Sequence, residues 1–433
     1  MPAFPRRRKT PYIGVFRKTP FLCAIIAIFS VGLYFGLPLV LKKSYQPLLP
    51  AAAGEAVLEA AMTPAVIHLK TPMPQKAIYM TSCVVGTPSF RHDLVSLVEE
   101  TEINSLVIDI KDYSGMLSFT PKGEALKEFI STRCMAPDMQ EFIQTLHEKG
   151  IYVIGRITVF QDPFLAKRRP DLAVKKASNG TTWQDYKGIS FTDPGAEEVW
   201  KHIVDISKEA YAIGFDELNF DYIRFPSDGP MSDIAFPWSE SRKKADVLED
   251  FFAYLSKELR PMGIVLSADL FGMTTTNTDD LNIGQVLERA APHFDYIAPM
   301  VYPSHYPPRF NGWANPNEYP YDVVKFSMGS AVKRFLATST PVALRGVEPI
   351  ASTTLPQSSV AGQAPLLYPK ESWNPEKLRP WLQDFDYGGN YDIAEVKAQI
   401  TAVYDAGLTS WMLWAPSNRY TKGALEGEQV LTD

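Results

Sequence analysis

The chain has 433 residues, of which 45% are hydrophobic and 21% are charged, and its net charge is −6 at pH 7. This composition is ordinary for a globular protein that buries a large core. The negative charge argues against a nucleic-acid-binding protein, because phosphate binding requires clustered cations. Aromatic residues make up 12%, an enrichment that sugar-binding clefts share with large cores.

The N-terminus predicts a membrane anchor. Residues 1–20 form a basic tail, and an uncharged apolar run at 21–41 follows, closed by Lys42 and Lys43. A run of about 20 residues can cross a bilayer as a helix, and it exceeds the roughly 7–15 apolar residues of a cleavable signal. Basic residues before the run predict a cytoplasmic tail and place the rest of the chain outside the cytoplasm, at the cell surface or in the periplasm. We therefore expect a single-pass signal anchor, although the small residues at 51–53 leave cleavage open.

Residues 42–75 are rich in Pro and Ala and are predicted to be a linker. Of the three cysteines, Cys23 lies in the apolar run, whereas Cys83 and Cys134 follow it. These two could form a disulfide in an oxidising compartment, but their spacing does not require one. No Cys-x-x-Cys or His-rich spacing predicts a zinc site, and we expect neither a metal nor a cofactor.

Beyond the linker, strand-like apolar segments alternate with amphipathic helical ones. The predicted strands comprise residues 77–85, 105–111, 151–159, 215–223, 264–270, 295–301, 379–385 and 408–414. The predicted helices comprise residues 90–101, 139–149, 196–212, 241–260, 284–291, 319–336 and 393–404. Eight strands in such an alternation predict an α/β fold, a (β/α)8 or TIM barrel over residues 76–425. An open doubly wound sheet would more often show a Gly-rich phosphate turn after its first strand, and none is present.

One segment interrupts the alternation. Residues 338–375 are rich in Pro, Ser, Thr and Gln, and we interpret them as an insertion before the seventh strand. Residues 341–347 within it could instead be a short strand, which would shift the strand count by one.

The carboxyl ends of barrel strands carry the chemistry in this fold. Acidic residues occur at the ends of the second, fourth and fifth predicted strands, with arginines between them. Each acid alone has a structural interpretation: Asp109 could pair with Lys111 or Arg156, and Asp112 could cap the following loop. Inward-facing charges are rarely buried unless they are paired or functional. The occurrence of several acids and arginines at neighbouring strand ends therefore favours a functional site at the barrel mouth.

Two carboxyl groups are what glycosidic bond cleavage requires: one protonates the leaving oxygen, and the other attacks the anomeric carbon or activates water. We predict Asp221 as nucleophile or base and Asp269 as general acid, with Asp109 in reserve for either role. Arginines beside them would keep a carboxylate ionised and position sugar hydroxyls. The residues predicted to bind substrate are Lys111, Asp112, Arg156, Asn219, Arg224, Tyr302, His305, Gln383, Asp384, Trp411 and Trp414.

Several sequence motifs resemble those of a bacterial family of glycosyl hydrolase domains. The motifs are GFDELNFDYIRFP at 214–226, MVYPSHY at 300–306, RPWLQDF at 379–385, QITAVYDAG at 399–407 and WMLWAPSNRY at 411–420. The resemblance extends over residues 77–420 and implies an amylase-like barrel. In such barrels an Asp at the end of the fourth strand is the nucleophile, which matches Asp221. By the same analogy a calcium ion is possible, although no acidic loop demands one.

The fourth-strand motif also resembles the FDGxDxDxE signature of chitinase-like barrels, but it lacks the Glu, whose position falls at or next to Ile223. Substrate-assisted chitinase chemistry is therefore not expected.

Two functions remain open at this point. The first is a membrane-anchored glycoside hydrolase that cuts a cell-envelope or exported polysaccharide. The alternative is a carbohydrate-binding barrel without turnover. A metal-dependent deacetylase is less favoured, because the six histidines share no ligand spacing.

Overall fold

The computed structural model describes residues 66–350 and 366–426. Eight parallel strands close into a barrel within these residues, so the predicted barrel is confirmed. The strands of the barrel are β1 Lys76–Met80, β2 Ser105–Lys111, β3 Tyr152–Thr158, β4 Glu217–Asp221, β5 Val265–Phe271, β6 Tyr296–Met300, β9 Trp381–Gln383 and β10 Trp411–Trp414.

The α-helices that the structure describes are α1 Ser82–Val85, α2 Pro88–Glu99, α3 Met139–Glu148, α4 Pro163–Arg168, α5 Glu197–Ala212, α6 Lys244–Leu259, α7 Leu287–Ala290, α8 Pro320–Leu336 and α9 Ile393–Asp405. Helix α5 illustrates why they form: Val199, Ile203 and Ile206 recur at helical spacing and are buried. After this helix the chain turns at Gly214, whose φ of 116° suits glycine.

The predicted membrane span at 21–41 lies outside the described residues. None of the helices in the part of the chain that the structure describes is long and apolar enough to cross a membrane.

Side-chain alternation along the strands determines what lies inside the barrel. Because successive strand residues face opposite sides, Glu217, Asn219 and Asp221 share the inner face of β4, from the bottom of the barrel to its mouth. At the bottom, Glu217 accepts a hydrogen bond of 2.9 Å from Nη1 of Arg379, and both side chains are almost completely buried. The inner face therefore carries polar groups at every level, and the acids at its upper end open towards the loops.

The segment before β1 is part of the barrel domain. The N–H of Leu69 donates a 2.5 Å hydrogen bond to Asp216, just before β4, and the Leu69 side chain packs on the inner cluster of the barrel. The hydroxyls of Thr71 and Tyr152 lie 3.0 Å apart. Residues 66–75, predicted to be linker, therefore pack against the N-terminal end of the barrel.

At the barrel mouth, the connection that follows β1 differs from the prediction. Strand β1 ends at Met80, and residues 82–85, predicted to continue it, form α1. The hydroxyl of Thr81 caps this helix by accepting from the N–H of Val84. Cys83 of α1 is bonded to Cys134 in the connection that follows β2, so the disulfide that the spacing left open is present.

The predicted insertion contains a short two-stranded sheet. Strand β7, Ser339–Thr340, pairs antiparallel with β8, Tyr368–Pro369. The alternative strand at 341–347 is not formed, and the barrel count stays at eight.

Candidate active site

Four strands bring one arginine and three carboxylates together at the barrel mouth. Arg156 of β3 lies between Asp109 of β2 and Asp221 of β4. Its Nη1 donates a 2.6 Å hydrogen bond to Asp109, while Nε, at 3.2 Å, and Nη2 donate to Oδ2 of Asp221. The same Nε lies 3.9 Å from Oδ2 of Asp269 on β5. All four side chains are buried, so the guanidinium is the shared counter-ion of the three acids.

Asp221 and Asp269 have different surroundings. Asp221 accepts two hydrogen bonds from the guanidinium, a geometry that stabilises the ionised carboxylate. Oδ1 of Asp269 accepts hydrogen bonds of 2.8 Å each from the amide of Asn219 and the indole of Trp381. Burial, reinforced by the charge of Asp221, raises the pKa of Asp269 well above its ordinary value. Asp269 is thus suited to retain its proton beside a carboxyl that the guanidinium holds in place.

The distances of the two carboxyls from Arg156 set an upper limit on their separation. Oδ2 of Asp221 and Oδ2 of Asp269 lie 3.2 and 3.9 Å from Nε of Arg156, so these oxygens are at most about 7.1 Å apart, the sum of the two distances. Glycosidases that retain configuration place their carboxyls about 5–5.5 Å apart, and inverting enzymes about 6.5–9.5 Å apart. The bound is compatible with the carboxyl pair of a glycosidase.

Asp109 is the third acid of the cluster. Its Oδ2 accepts a hydrogen bond from the hydroxyl of Tyr79 on β1. Burial raises the pKa of Asp109 to about 6, although the neighbouring charge of Arg156 opposes the shift. Asp109 therefore changes its protonation state in the mildly acidic range, about one pH unit below neutral.

Two adjoining chambers open above this cluster, one of about 650 Å³ and one of about 350 Å³. The larger chamber contains Asp221 and Asp269, and the smaller one contains Asp109. Trp414 borders both and stacks on Tyr79 with ring centres 3.9 Å apart. A partly exposed indole beside the carboxyl pair offers a flat surface for the apolar face of a sugar ring.

Arg224 extends into both chambers from the loop after β4. Its guanidinium lies between the rings of Tyr222 and Phe271, with 4.9 and 4.8 Å from its central carbon to the ring centres. Tyr222 directly follows Asp221 and has a φ of 51°, so the chain leaves the strand geometry there. This turn places residues 221, 222 and 224 on the walls of the same cavity.

The other predicted residues that line the larger chamber are Tyr302 and His305, which follow β6. Tyr302 is buried, and burial raises its pKa well above the ordinary value. His305 is exposed at the rim, where its Nδ1 lies 2.9 Å from the hydroxyl of Ser304. Asn219 lies below the chamber floor and reaches it only through its hydrogen bond to Asp269.

Lys111 was predicted to bind substrate but lies away from the chambers. Its side chain is completely buried, 2.9 Å from Asp162, and its ammonium donates a hydrogen bond to the carbonyl of Thr158. The pairing register of β2 shifts between Asp109 and Lys111. Such an irregularity changes the side of the strand on which the later residue emerges, which explains why the simple alternation fails here.

Trp411 and Asp112 are also structural. Trp411 faces the helical layer, where its indole donates to the hydroxyl of Tyr404 at 3.1 Å; its neighbour on the inner face is Met412. Asp112 caps the loop after β2 by accepting from the N–H of Ser114 at 2.9 Å, as its structural interpretation anticipated.

Gln383 and Asp384 support the end of β9 and do not line the chambers. Oε1 of Gln383 accepts from the N–H of Ser304 at 3.2 Å. Asp384 accepts two hydrogen bonds from Thr421, from its N–H at 2.9 Å and from its hydroxyl at 2.7 Å. Both residues hold connections of the mouth in place, so their predicted contact with substrate is not supported by the structure.

The sequence analysis missed several side chains of the site, among them Tyr79, Trp381, Tyr222, Phe271 and Lys187. Tyr79 and Trp381 occupy inner-face positions of β1 and β9, so applying the strand alternation to every strand would have found them. Tyr222 enters through its left-handed backbone, which the sequence pattern does not reveal.

Comparison with known proteins gives a family match. The family described as "Putative glycosyl hydrolase domain" matches residues 77–345 and 356–420, more than half of the chain. No curated protein matches the chain.

Two solved structures are similar to parts of it. The glycoside hydrolase domain of PgaB (BpsB) from Bordetella bronchiseptica is 12% identical with a TM-score of 0.52, covering 82% of this chain and 99% of that one; this likeness supports the fold. A hypothetical protein from Ruminiclostridium thermocellum ATCC 27405 is 34% identical with a TM-score of 0.40, covering 44% of this chain and 96% of that one.

Proposed function

This chain belongs to that glycosyl hydrolase domain family, and we propose that it cleaves glycosidic bonds with Asp221 as nucleophile or base and Asp269 as general acid. The observation that carries the assignment is the contrast between the two carboxyls. Asp221 accepts twice from the Arg156 guanidinium, whereas burial and the charge of Asp221 raise the pKa of Asp269. A carboxyl whose surroundings favour its protonated form, beside a second carboxyl held in place, is what acid–base cleavage needs.

The chemistry follows from this arrangement. With a sugar in the larger chamber, Asp269 gives its proton to the leaving glycosidic oxygen as the bond to the anomeric carbon breaks. Asp221 either forms a bond to that carbon or removes a proton from an attacking water. In the first route, water releases the sugar from Asp221 and returns a proton to Asp269. Arg156 is a positioning residue that orients Asp221 through two hydrogen bonds.

We further propose that the barrel acts outside the cytoplasm on a cell-envelope or exported polysaccharide, held at the membrane by residues 21–41. Two features support this. The apolar run with its preceding cations has the length and charge of a signal anchor. The Cys83–Cys134 disulfide is of a kind that persists in oxidising compartments.

The test uses the full-length chain incubated with envelope polysaccharides of the producing cell, with released reducing ends as the readout. Wild-type chain should release them, and Asp221→Asn should not, while binding of the polysaccharide persists. Asp93→Asn is the matched control, because this carboxylate is exposed on α2. Binding by all three proteins without release would refute the hydrolase assignment and favour a carbohydrate-binding barrel.

A second variant separates the two roles. Asp269→Asn should lose activity on polysaccharide but retain more of it on aryl glycosides, whose phenolate leaving groups need little protonation. Asp221→Asn should lose both activities. If the two variants lose both to the same extent, the assignment of Asp269 as the acid is wrong.

A further inference from the structure

The charges that line the larger chamber do not balance. Its walls carry three cations, Arg156, Lys187 and Arg224, and two carboxyls, Asp221 and Asp269. With Asp269 protonated, the lining has two more positive than negative charges. The whole chain, by contrast, has a net charge of −6. The excess is therefore local to the chamber that contains the proposed catalytic pair.

Arg156 is neutralised by its carboxylates, but Arg224 is not. Among the described residues, no carboxylate oxygen lies within 4.0 Å of the Arg224 guanidinium. Its Nη1 donates to the carbonyl of Phe225 at 3.2 Å and to the hydroxyl of Ser227 at 3.1 Å. The side chain of Tyr222 is a further polar neighbour of this guanidinium, but among the described residues no carboxylate or carbonyl accepts a hydrogen bond from Nε or Nη2. Donors of a half-buried guanidinium are thus left to face the cavity.

The aromatic neighbours hold this guanidinium in a fixed orientation. Tyr222 and Phe271 lie on its two sides at 4.9 and 4.8 Å. A planar guanidinium held by its faces presents its edge, and the edge is the part that binds carboxylate or phosphate oxygens in pairs. Lys187 is exposed, borders both chambers and has no ion pair among the described residues, so it adds a second positive charge.

The smaller chamber is less positive than the larger one. Arg156, Lys187 and Arg224 border it too, but Asp109, Asp185 and Asp228 also contribute to its walls, so its cations and carboxyls are equal in number. An anionic group on the substrate is therefore bound more favourably on the side of Arg224 that faces the larger chamber.

We propose that Arg224, assisted by Lys187, binds an anionic substituent of the sugar that occupies the larger chamber, so that the substrate is an acidic polysaccharide. The inference rests on the proposed glycosidase function and extends it to a substrate class. The shared chemistry is a group with two or more anionic oxygens, either the carboxylate of a uronic acid or a phosphate ester.

Binding measurements on the full-length chain test this proposal. The probes are glucuronate, glucose 6-phosphate and glucose, and their binding is measured by saturation-transfer NMR. We expect both anionic sugars, or one of them, to bind at least about tenfold more tightly than glucose, a preference typical of a charged hydrogen-bonded contact, and to weaken as salt is added. Preference for glucuronate alone identifies a carboxylate, and preference for glucose 6-phosphate alone identifies a phosphate.

Variants locate the contact. Arg224→Gln should remove the preference for the anionic sugars, and Arg224→Lys should restore part of it. Arg169→Gln, which alters an exposed arginine paired with Asp171, should leave it intact. Equal or undetectable binding of all three sugars by the wild type, or a preference that survives Arg224→Gln, overturns the proposal.

These outcomes are separable from the function itself. Release of reducing ends that depends on Asp221 but acts equally on neutral and acidic polysaccharides would retain the glycosidase and reject the anionic subsite. A preference for anionic sugars that depends on Arg224, in a chain without Asp221-dependent release, would retain the subsite and reject the glycosidase.

Discussion

Replacing Asp109 by Asn should make the protein more stable at neutral pH. Asp109 is buried between the guanidinium of Arg156 and the hydroxyl of Tyr79. The amide of Asn keeps an acceptor for the guanidinium and a donor for the hydroxyl, so the packing and most hydrogen bonds can be retained. What the substitution removes is the cost of burying a charge at this position.

The magnitude follows from the pKa of Asp109, which burial raises from 3.8 to about 6 in the folded protein. The folded state binds this proton more tightly than the unfolded chain does. The contribution of the protonated carboxyl to stability is therefore complete below pH 3.8 and is lost as the pH rises through 6. The difference between these values corresponds to a loss of about 3 kcal/mol.

The assay is urea unfolding of the wild type and of Asp109→Asn between pH 3.5 and 8. Because other groups titrate alike in both proteins, the difference between their unfolding free energies isolates Asp109. That difference should shift in favour of the variant by about 3 kcal/mol across the range, whereas for Asp93→Asn it should stay within about 0.5 kcal/mol. A difference for Asp109→Asn that does not change with pH would refute the reasoning.

Three further predictions concern the disulfide and the acid. Replacing both Cys83 and Cys134 by Ser removes a disulfide that joins residues 51 positions apart. The free energy of unfolding should therefore fall by up to about 4 kcal/mol, and urea unfolding of the variant should not respond to dithiothreitol. Asp269 is proposed to act in its protonated form, and its pKa is raised. The kcat should therefore fall as the pH rises through that pKa, and a flat alkaline limb would contradict the proposed role. Trp381→Phe removes an indole hydrogen bond that lowers the pKa of Asp269, so that limb should move to higher pH; an unmoved limb would show that the contact is absent in solution.

The barrel could be predicted because the local hydrophobic pattern identifies most of its strands and helices. Apolar runs such as Ser105–Lys111 and amphipathic segments such as Glu197–Ala212 occur where the structure places β2 and α5. Strand ends were less predictable: the apolar residues after Met80 suggested a longer strand, but the Thr81 cap begins a helix there. Helix caps and long-range strand pairing determine such boundaries, and the hydrophobic periodicity of the sequence does not reveal them.

The site was predictable where the alternation of strand residues holds. It holds on β4 and β5, so Asp221 and Asp269 were placed at one mouth, and it fails at the irregularity of β2, where Lys111 turns to Asp162. Trp411 was misplaced by one position, since its strand faces inward with Met412 and Trp414. The partners that tune the acids, such as Trp381, come from distant strands, and only the closed barrel brings them into contact.

The left-handed backbone at Tyr222 implies that the protein carries local strain next to Asp221, the carboxyl proposed as nucleophile or base. A non-glycine residue at a φ of 51° costs about 1–3 kcal/mol, and the hydrogen bond from its own N–H to Asp221 offsets only part of that cost. Glycine would relieve the strain but would remove the ring that lies against Arg224. Relief of backbone strain and contact with Arg224 therefore make opposite demands on position 222, and tyrosine keeps the contact at the cost of the strain.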